Sequence, residues 1–241
     1  MDNDIYGEAL LEYQNGNYTE DITTFLSLDE EDTLPLPYLF RNFKDMPLLE
    51  KHALQLSKGA VLDIGCGAGS HSLILQKSQL NISSVTAIDF SAGAIETCKL
   101  RGVKNAIHTD LYDFKEPKFD TLLLLMNGIG IAGKVHQLDF FFTHLKSLLK
   151  PNGQILLDSS DIIYMYENDN EDGGYWIPDS IDYYGEVNFH MEYKGKKSKT
   201  FPWLYLDYNS LQRAAMFNNL NCELVFEGEH YEFLARLTLS I

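Results

Sequence analysis

The stretch Val61-Leu-Asp-Ile-Gly-Cys-Gly-Ala-Gly69 decides the fold of this chain. A mainly apolar segment runs into three glycines at alternate positions, and a helical pattern begins at Ser70 or His71. Glycine has no Cβ, so the chain can turn tightly there and a ligand can approach the backbone. The first turn of the following helix presents free amides. The stretch therefore predicts a strand, a glycine loop and a helix, which together form a nucleotide site at the carboxyl end of a strand.

Polar residues near this loop indicate which nucleotide it binds. A dinucleotide site needs the spacing G-x-G-x-x-G, but the sixth place counted from Gly65 is Ser70. Asp63 lies inside the strand, where its carboxylate would repel a pyrophosphate and suit an ammonium group. Asp89 ends the next apolar run, and its two oxygens can accept the two hydroxyls of a ribose. Asp110 follows the third run and suits the amine of adenine. These acids predict a ligand with adenine, ribose and an amino-acid tail, without phosphate.

Apolar runs alternate with amphipathic stretches between residues 59 and 160. Runs without polar alternation are typical of strands covered on both faces, and their alternation with helices favours right-handed βαβ units and a parallel sheet. Ser91 and Gly102 are the expected N-cap and C-cap of the second helix. The predicted strands are 60–64, 85–88, 105–108, 121–126 and 154–158, and the predicted helices are 70–79, 91–101 and 135–149.

This order of motifs resembles the class I S-adenosylmethionine (SAM)-dependent methyltransferases. Residues 61–69 are similar to the family's first motif, Asp89 to its ribose-binding acid and Asp110-Leu111 to its adenine-contacting pair. Residues 149–157 are similar to its turn into the fifth strand. The resemblance implies an α/β Rossmann-like methyltransferase fold, with a seven-stranded, mostly parallel sheet of order 3-2-1-4-5-7-6, an antiparallel last strand and helices on both faces. It implies SAM as the cofactor, bound by Asp63, Gly65, Cys66, Gly67, Gly69, Asp89, Phe90, Asp110, Leu111, Met126 and Asn127.

Four parts are expected along the chain: an N-terminal helical cap over 1–58, a SAM-binding core over 59–160, an aromatic-rich hairpin insertion over 161–208, and a C-terminal helix with closing antiparallel strands over 209–241. The insertion holds eight of the fourteen tyrosines, which either pack a hairpin on the sheet or form a wall of the acceptor pocket. In the cap, Tyr38-Leu-Phe-Arg41 is a second pocket candidate, and Arg41 could meet the carboxylate of the cofactor.

The sequence narrows the chemical class of the methyl acceptor but does not identify the acceptor. The fourth motif ends Met126-Asn-Gly-Ile-Gly130, unlike the Asn- or Asp-Pro-Pro-aromatic of amino-directed nucleic-acid methyltransferases. The net charge of −16 repels a phosphate backbone, and the single basic cluster, 194–199, is too short to carry RNA binding alone. A small-molecule acceptor is therefore expected first and a protein or tRNA acceptor second, while bulk nucleic-acid binding is not expected.

Composition sets the remaining expectations. The three cysteines, Cys66, Cys98 and Cys222, cannot form a disulfide framework, and no signal peptide or membrane-spanning run is visible, so a cytoplasmic protein is expected. No histidine has the spacing of a metal site, so no metal is expected. The sequence leaves the oligomeric state open.

The predicted activity is SAM-dependent methyl transfer by in-line displacement, in which the protein mainly orients the reactants. The sequence does not single out a catalytic residue, although Asn127, Asp158, Asp161 and the tyrosines that follow it are candidates for a general base. A non-catalytic SAM- or nucleotide-binding interaction domain is one alternative. An NAD-dependent oxidoreductase is another, although Ser70 and Asp63 argue against it.

Overall fold

A computed structural model describes residues 4–28, 30–78, 81–115, 117–166, 174–179 and 181–240. Its strands are β1 (Ile22–Leu26), β2 (Glu30–Leu34), β3 (Gly59–Ile64), β4 (Ile82–Asp89), β5 (Ala106–His108), β6 (Phe119–Leu124), β7 (Leu149–Ser160), β8 (Glu186–Tyr193), β9 (Lys196–Lys197), β10 (Phe201–Leu204), β11 (Leu220–Glu227) and β12 (Glu232–Leu239). Its α-helices are α1 (Ile5–Gln14), α2 (Leu36–Leu39), α3 (Leu48–Leu56), α4 (Ser70–Lys77), α5 (Ala92–Arg101), α6 (Leu138–Leu148) and α7 (Tyr208–Phe217). Short 3₁₀ helices cover Phe43–Asp45, Leu111–Asp113, Gly128–Ala132, Val135–Gln137 and Ile163–Met165.

The main sheet has seven strands in the order β5-β4-β3-β6-β7-β12-β11. Strand β12 runs antiparallel to both of its neighbours, and the pairs from β5 to β7 are parallel. Numbered along the chain within this sheet, the order is 3-2-1-4-5-7-6, which confirms the predicted topology. The central strands are buried on both faces, as the apolar run Leu122–Leu124 shows with no exposed side chain.

Helices cover both faces of the main sheet. Helices α6 and α7 pack on one face in a core with β6, β7 and β12, while α3 and α4 pack with β3 and other strands in a second cluster. The predicted caps of α5 are confirmed: Ser91 Oγ accepts the Ala94 amide at 3.0 Å, and Gly102 has a left-handed φ of 94°. None of the described helices has the length and apolar character needed to cross a membrane.

A second, antiparallel sheet joins distant parts of the chain. Its strands run in the order β10-β8-β1-β2, with β9 paired to β8, and we call it the cap sheet. Strands β8 and β10 form the antiparallel pair predicted for the insertion, although residues 167–173 and 180 of that insertion lie outside the described residues.

The N-terminal segment 1–58 is not only helical, which corrects the expected helical cap. Strand β2, Glu30–Leu34, carries three acids and mostly exposed side chains, so its sequence lacks the apolar alternation of a strand. It is a strand because its backbone pairs with β1, and β1 in turn pairs with β8. This pairing depends on residues far along the chain, which a local pattern does not reveal.

Helix α1 lies against α5 through a pair of glycines. A Cβ on Gly93 would lie 2.5–2.6 Å from the backbone of Gly7, so only glycine permits this approach. Asp4 caps α1 by accepting the Gly7 amide at 2.9 Å, and it also accepts Ser91 Oγ at 2.9 Å and the Gly93 amide at 3.0 Å. The first helix is thereby fixed beside the glycine loop.

The hairpin of the cap sheet holds α1 from the other side. Lys196 pairs with Glu8 at 2.6 Å, and Glu12 accepts both the Tyr193 hydroxyl at 2.7 Å and Lys194 Nζ. The basic turn predicted at 194–199 is therefore used, at least in part, to fasten the cap sheet to α1.

Candidate functional site

The glycine loop after β3 adopts a backbone that other residues rarely take. Gly65, Gly67 and Gly69 have φ values of 70°, 53° and 79°. A Cβ on Gly67 would lie 2.6 Å from Tyr6 Oη, and one on Gly69 would lie 2.7 Å from Cys98 Sγ. Both left-handed φ and close neighbours therefore require glycine here.

Asp89, at the end of β4, braces this loop. Its Oδ2 accepts the Gly67 amide at 2.9 Å, and its Oδ1 accepts the Ser91 amide at 2.8 Å. The side chain is buried, and burial raises its pKa to about 6 despite these two hydrogen bonds. Each carboxylate oxygen retains capacity for a further donor, so the group can hold the loop and bind ribose hydroxyls at once.

Two neighbouring strand ends supply the surface expected for adenine. Asp89 of β4 is paired in register with His108 of β5, so Phe90 and Asp110 follow at the same edge of the sheet. Phe90 is 73% exposed, which is unusual for a large apolar side chain and suits a planar ring stacked upon it. Asp110 is exposed and accepts the Tyr112 amide at 2.8 Å, while Leu111 is buried beside it.

Two of the predicted cofactor residues turn their side chains into the interior. Asp63 is 2% exposed, its Oδ2 accepts Ser72 Oγ at 2.6 Å, and burial raises its pKa. Cys66 is also buried, with its Sγ 3.7 Å from Cys98 Sγ. These side chains fix β3 and the loop to α4 and α5, so contact with a ligand on the open side of the loop falls to the backbone.

The ends of β6 and β7 form the other half of the site. Asp158 on β7 accepts the Met126 amide at 3.0 Å and the Gly128 amide at 2.8 Å. These bonds hold Met126 and Asn127 at φ values of 66° and 59°, a left-handed conformation that costs free energy in residues other than glycine. Asp158 is buried, and burial raises its pKa to about 6.

Asn127 is anchored by its amide nitrogen. Nδ2 donates to the Leu204 carbonyl at 3.0 Å, while Oδ1 is buried and has no hydrogen-bond partner among the described residues. The structure thus brings together Asn127 and Asp158, two of the residues predicted at the strand ends. Asp161, the third candidate base, instead accepts the Tyr184 hydroxyl at 2.7 Å and the Ile163 amide at 2.9 Å.

A buried ionic cluster lies between the N-terminal segment and α4. Arg41 donates Nε to Glu50 Oε2 at 3.1 Å, donates Nη2 to Oε1, and donates Nη1 to the Tyr38 carbonyl at 2.6 Å. His71 Nε2 lies 2.8 Å from the same Oε2 of Glu50. Burial favours protonation of Glu50, but the bonds from His71 and Arg41 outweigh it and lower the pKa of Glu50.

Sequence reasoning found Arg41 but missed its partner. Glu50 falls in the first turn of an amphipathic helix, a position that usually faces water, and no local signal marks it as 4% exposed. The sequence gives one indication of this cluster: His71, which can carry a positive charge, lies directly after the glycine loop.

Tyrosines connect this cluster with the cap sheet. Burial raises the pKa of Tyr38, and the negative charges of Glu50 and Asp158 raise it further. The positive charge of Arg41 lowers it, but by less. Burial raises the pKa of Tyr205 to about 12, with further contributions from Tyr164, Asp158 and Asp32. We call Tyr38, Asn127, Asp158, Tyr205 and Asp32 the acceptor region, since Asp158 acts on the pKa of both tyrosines and Asp32 on that of Tyr205.

Comparisons with known proteins agree with this geometry. A family model described as a methyltransferase domain matches residues 61–153. A SAM-dependent methyltransferase from Bacteroides fragilis, solved in complex with S-adenosylhomocysteine, is 42% identical, with a TM-score of 0.90 over 99% of this chain and 95% of that one.

More distant proteins share parts of the chain or the fold alone. The ubiquinone biosynthesis O-methyltransferase of Rickettsia akari is 31% identical over 109 residues, which are 43% of this chain and 41% of that protein. An amino pentose methyltransferase from Micromonospora echinaspora, solved with SAM bound, is 14% identical with a TM-score of 0.56, covering 82% of this chain and 94% of that one. This chain spans less than half the length of the curated relatives that it matches.

Proposed function

Because this chain belongs to the class I SAM-dependent methyltransferases, we propose that it transfers a methyl group from SAM to a small-molecule acceptor. The observation that carries the proposal is the loop of three left-handed glycines braced by the buried carboxylate of Asp89. Family membership sets aside the oxidoreductase alternative. A non-catalytic SAM-binding domain remains distinguishable by experiment.

The residues present fit SAM. We assign Gly65, Gly67 and Gly69 to close approach of the backbone, Asp89 to the ribose hydroxyls, and the edge formed by Phe90, Asp110 and Leu111 to adenine. Asp63 and Cys66 support the loop through its backbone, and Met126 and Asn127 border the site at the end of β6. Arg41 retains N–H groups beyond those used by Glu50 and is assigned to the carboxylate of the amino-acid tail.

When bound, SAM supplies an electrophilic methyl carbon on a sulfonium centre. The protein therefore has to orient a nucleophile in line with the carbon–sulfur bond, and orientation alone can supply on the order of 7–11 kcal/mol of rate acceleration. The acceptor region provides the orienting groups, with Asn127 and Asp158 fixed by hydrogen bonds. The cap sheet covers this region and limits the access of water.

A small acceptor is favoured by the way the strand ends are covered. The ring of Trp203 on β10 lies directly against Gly130, so the cap sheet touches the loop that follows β6. A long polymer would have to displace that contact. The charge of −16 further opposes a nucleic-acid acceptor.

Calorimetry of the purified protein with SAM, S-adenosylhomocysteine and NADH tests the proposal. We expect micromolar binding of the first two, none of NADH, and loss of SAM binding in Asp89→Ala. Glu96→Ala, an exposed acid on the adjacent α5, is the matched control and should bind normally. Absence of SAM binding would reject the proposal, and SAM binding without methyl transfer to any acceptor would favour the non-catalytic alternative.

A further inference from the structure

Asn127 presents a hydrogen-bond acceptor that the protein leaves unused. Because Nδ2 is committed to the Leu204 carbonyl, the orientation of the amide is fixed and Oδ1 faces away from that bond. A buried carbonyl oxygen without a donor is unfavourable, so Asn127 Oδ1 requires a donor from outside the described residues. The missing partner is an N–H or O–H donor.

The charges around Asn127 indicate whether this donor is an N–H or an O–H group. Asp158 makes no ion pair with any described residue, and its recorded hydrogen-bond partners are the backbone amides of Met126, Asn127 and Gly128. The nearby Arg41 is already engaged by Glu50. The acceptor region therefore carries an anionic excess, which attracts a cation and repels a carboxylate.

Asp32 adds a second negative charge from the cap sheet. It is paired in register with Thr24, which is paired with Met191, so these three residues lie on one face of the cap sheet. Asp32 and Asp158 both contribute to the raised pKa of Tyr205, so both carboxylates lie within electrostatic reach of its hydroxyl. The Tyr205 ring can also attract a cation, as the neighbouring Tyr38 ring does, with Arg41 Cζ 3.9 Å from its centroid.

Resting on the methyl transfer proposed above, we infer that the acceptor is an amine on an apolar body, bound through its N–H to Asn127 Oδ1 and attracted by Asp158 and Asp32. The ammonium form first gives one proton to water. The nitrogen lone pair then forms the N–C bond to the methyl carbon while the C–S bond breaks. The electron pair of the C–S bond goes to sulfur. The methylated ammonium product releases its extra proton to water.

A matched acceptor library tests this inference. Amines, alcohols or phenols, and carboxylic acids built on the same apolar frameworks are incubated with the full chain and SAM, and release of S-adenosylhomocysteine is measured. We expect turnover of amines, at least ten times faster than that of the corresponding alcohols or acids. Preferred turnover of alcohols or acids would overturn the inference, as would SAM binding without turnover of any amine. Failure of SAM to bind at all would instead reject the proposed function.

A pair of variants on one strand separates a specific charge effect from a general one. With the best amine of the library, Asp32→Asn should lower kcat/KM about 3- to 10-fold through KM, while SAM affinity and kcat change little. Glu31→Gln removes the same charge from the opposite face of β2 and should have no effect. Equal effects of the two variants, or none from Asp32→Asn, would show that Asp32 does not recognise the acceptor.

Discussion

Two halves of the site are built by different means. Around the glycine loop, main-chain groups carry the geometry, because left-handed glycines and the Gly67 and Ser91 amides are fixed by Asp89. At the ends of β6 and β7, side chains carry it, and one of them, Asn127, keeps a buried oxygen unpaired. A rigid main-chain cradle suits a ligand that never changes, whereas the unpaired oxygen of Asn127 is where we propose that the second ligand binds.

Removing the buried ionic cluster of Arg41, Glu50 and His71 should have the largest effect on stability. Glu50→Gln leaves Arg41 buried with a neutral partner and weakens the contact with His71. We expect a loss of about 3–5 kcal/mol in the free energy of unfolding, measured by urea denaturation at pH 7. Glu192→Gln, which breaks only exposed ion pairs, should cost less than about 1 kcal/mol. A loss of similar size in both variants would show that the buried cluster contributes no more to stability than an exposed ion pair does.

Crowding the main-chain cradle should abolish cofactor binding while leaving the fold intact. In Gly67→Ala the new Cβ would meet Tyr6 Oη at a left-handed φ, and the loop must shift to accommodate it. We expect SAM affinity to fall at least about 100-fold, or about 2.7 kcal/mol, by calorimetry.

Gly16→Ala controls for backbone strain. Gly16 also has a left-handed φ, of 79°, but no atom lies within 4 Å of the added Cβ. It should lower stability without changing SAM affinity. Normal SAM binding by Gly67→Ala would mean that the loop can absorb a side chain.

Acidity should reveal the buried carboxylate of the side-chain half. Asp158 has a pKa of about 6 in the folded protein against an ordinary value of 3.8, so the folded state binds more protons between these values. Stability from this group is present below about pH 4 and is lost as the pH rises through 6, by on the order of 2 kcal/mol.

The comparison needed is between the wild type and Asp158→Asn, unfolded with urea from pH 4 to 7. The variant should lose the part of the pH dependence that Asp158 contributes, leaving that of Asp89, whose pKa is also raised to about 6. It should be less stable than the wild type near pH 4, because the amide nitrogen cannot accept a backbone bond, and this difference should shrink toward pH 7 as Asp158 of the wild type ionises. An unchanged slope would place the titration elsewhere.

The smallest effect is expected where the cap sheet is fastened to α1. Lys196→Gln removes the ion pair with Glu8, a partly exposed contact worth less than about 1 kcal/mol. Since α1 carries Tyr6 against Gly67, SAM affinity should fall about 2- to 3-fold in a low-salt titration. Lys197→Gln, whose ion pair with Glu192 stays within the cap sheet, should leave SAM affinity unchanged.

The sequence predicts the main sheet and the glycine loop after β3 well, for a physical reason. Strands such as 121–126 are short apolar runs separated by helices, and the loop 65–69 is defined by glycine itself, so both signals are local. The cap sheet escapes prediction because Glu30–Leu34 becomes a strand only through pairing with β1. The left-handed turn at Asn127 and the burial of Glu50 likewise depend on Asp158 and Arg41, which lie elsewhere in the chain.

The pairing of β1 with β8 has a further consequence for how the protein is made. Thr23 pairs with Thr33 of the nearby β2, but it must wait for Glu192 before β1 gains its second neighbour in the cap sheet, whereas β3, β4 and β6 can assemble from segments that leave the ribosome close together. Contacts of high sequence separation form late, because a long loop must close first. The nascent chain therefore forms the strands around the glycine loop before the cap sheet is complete. During synthesis, the edge of β1 that pairs with β8 stays unpaired until the last third of the polypeptide has been made.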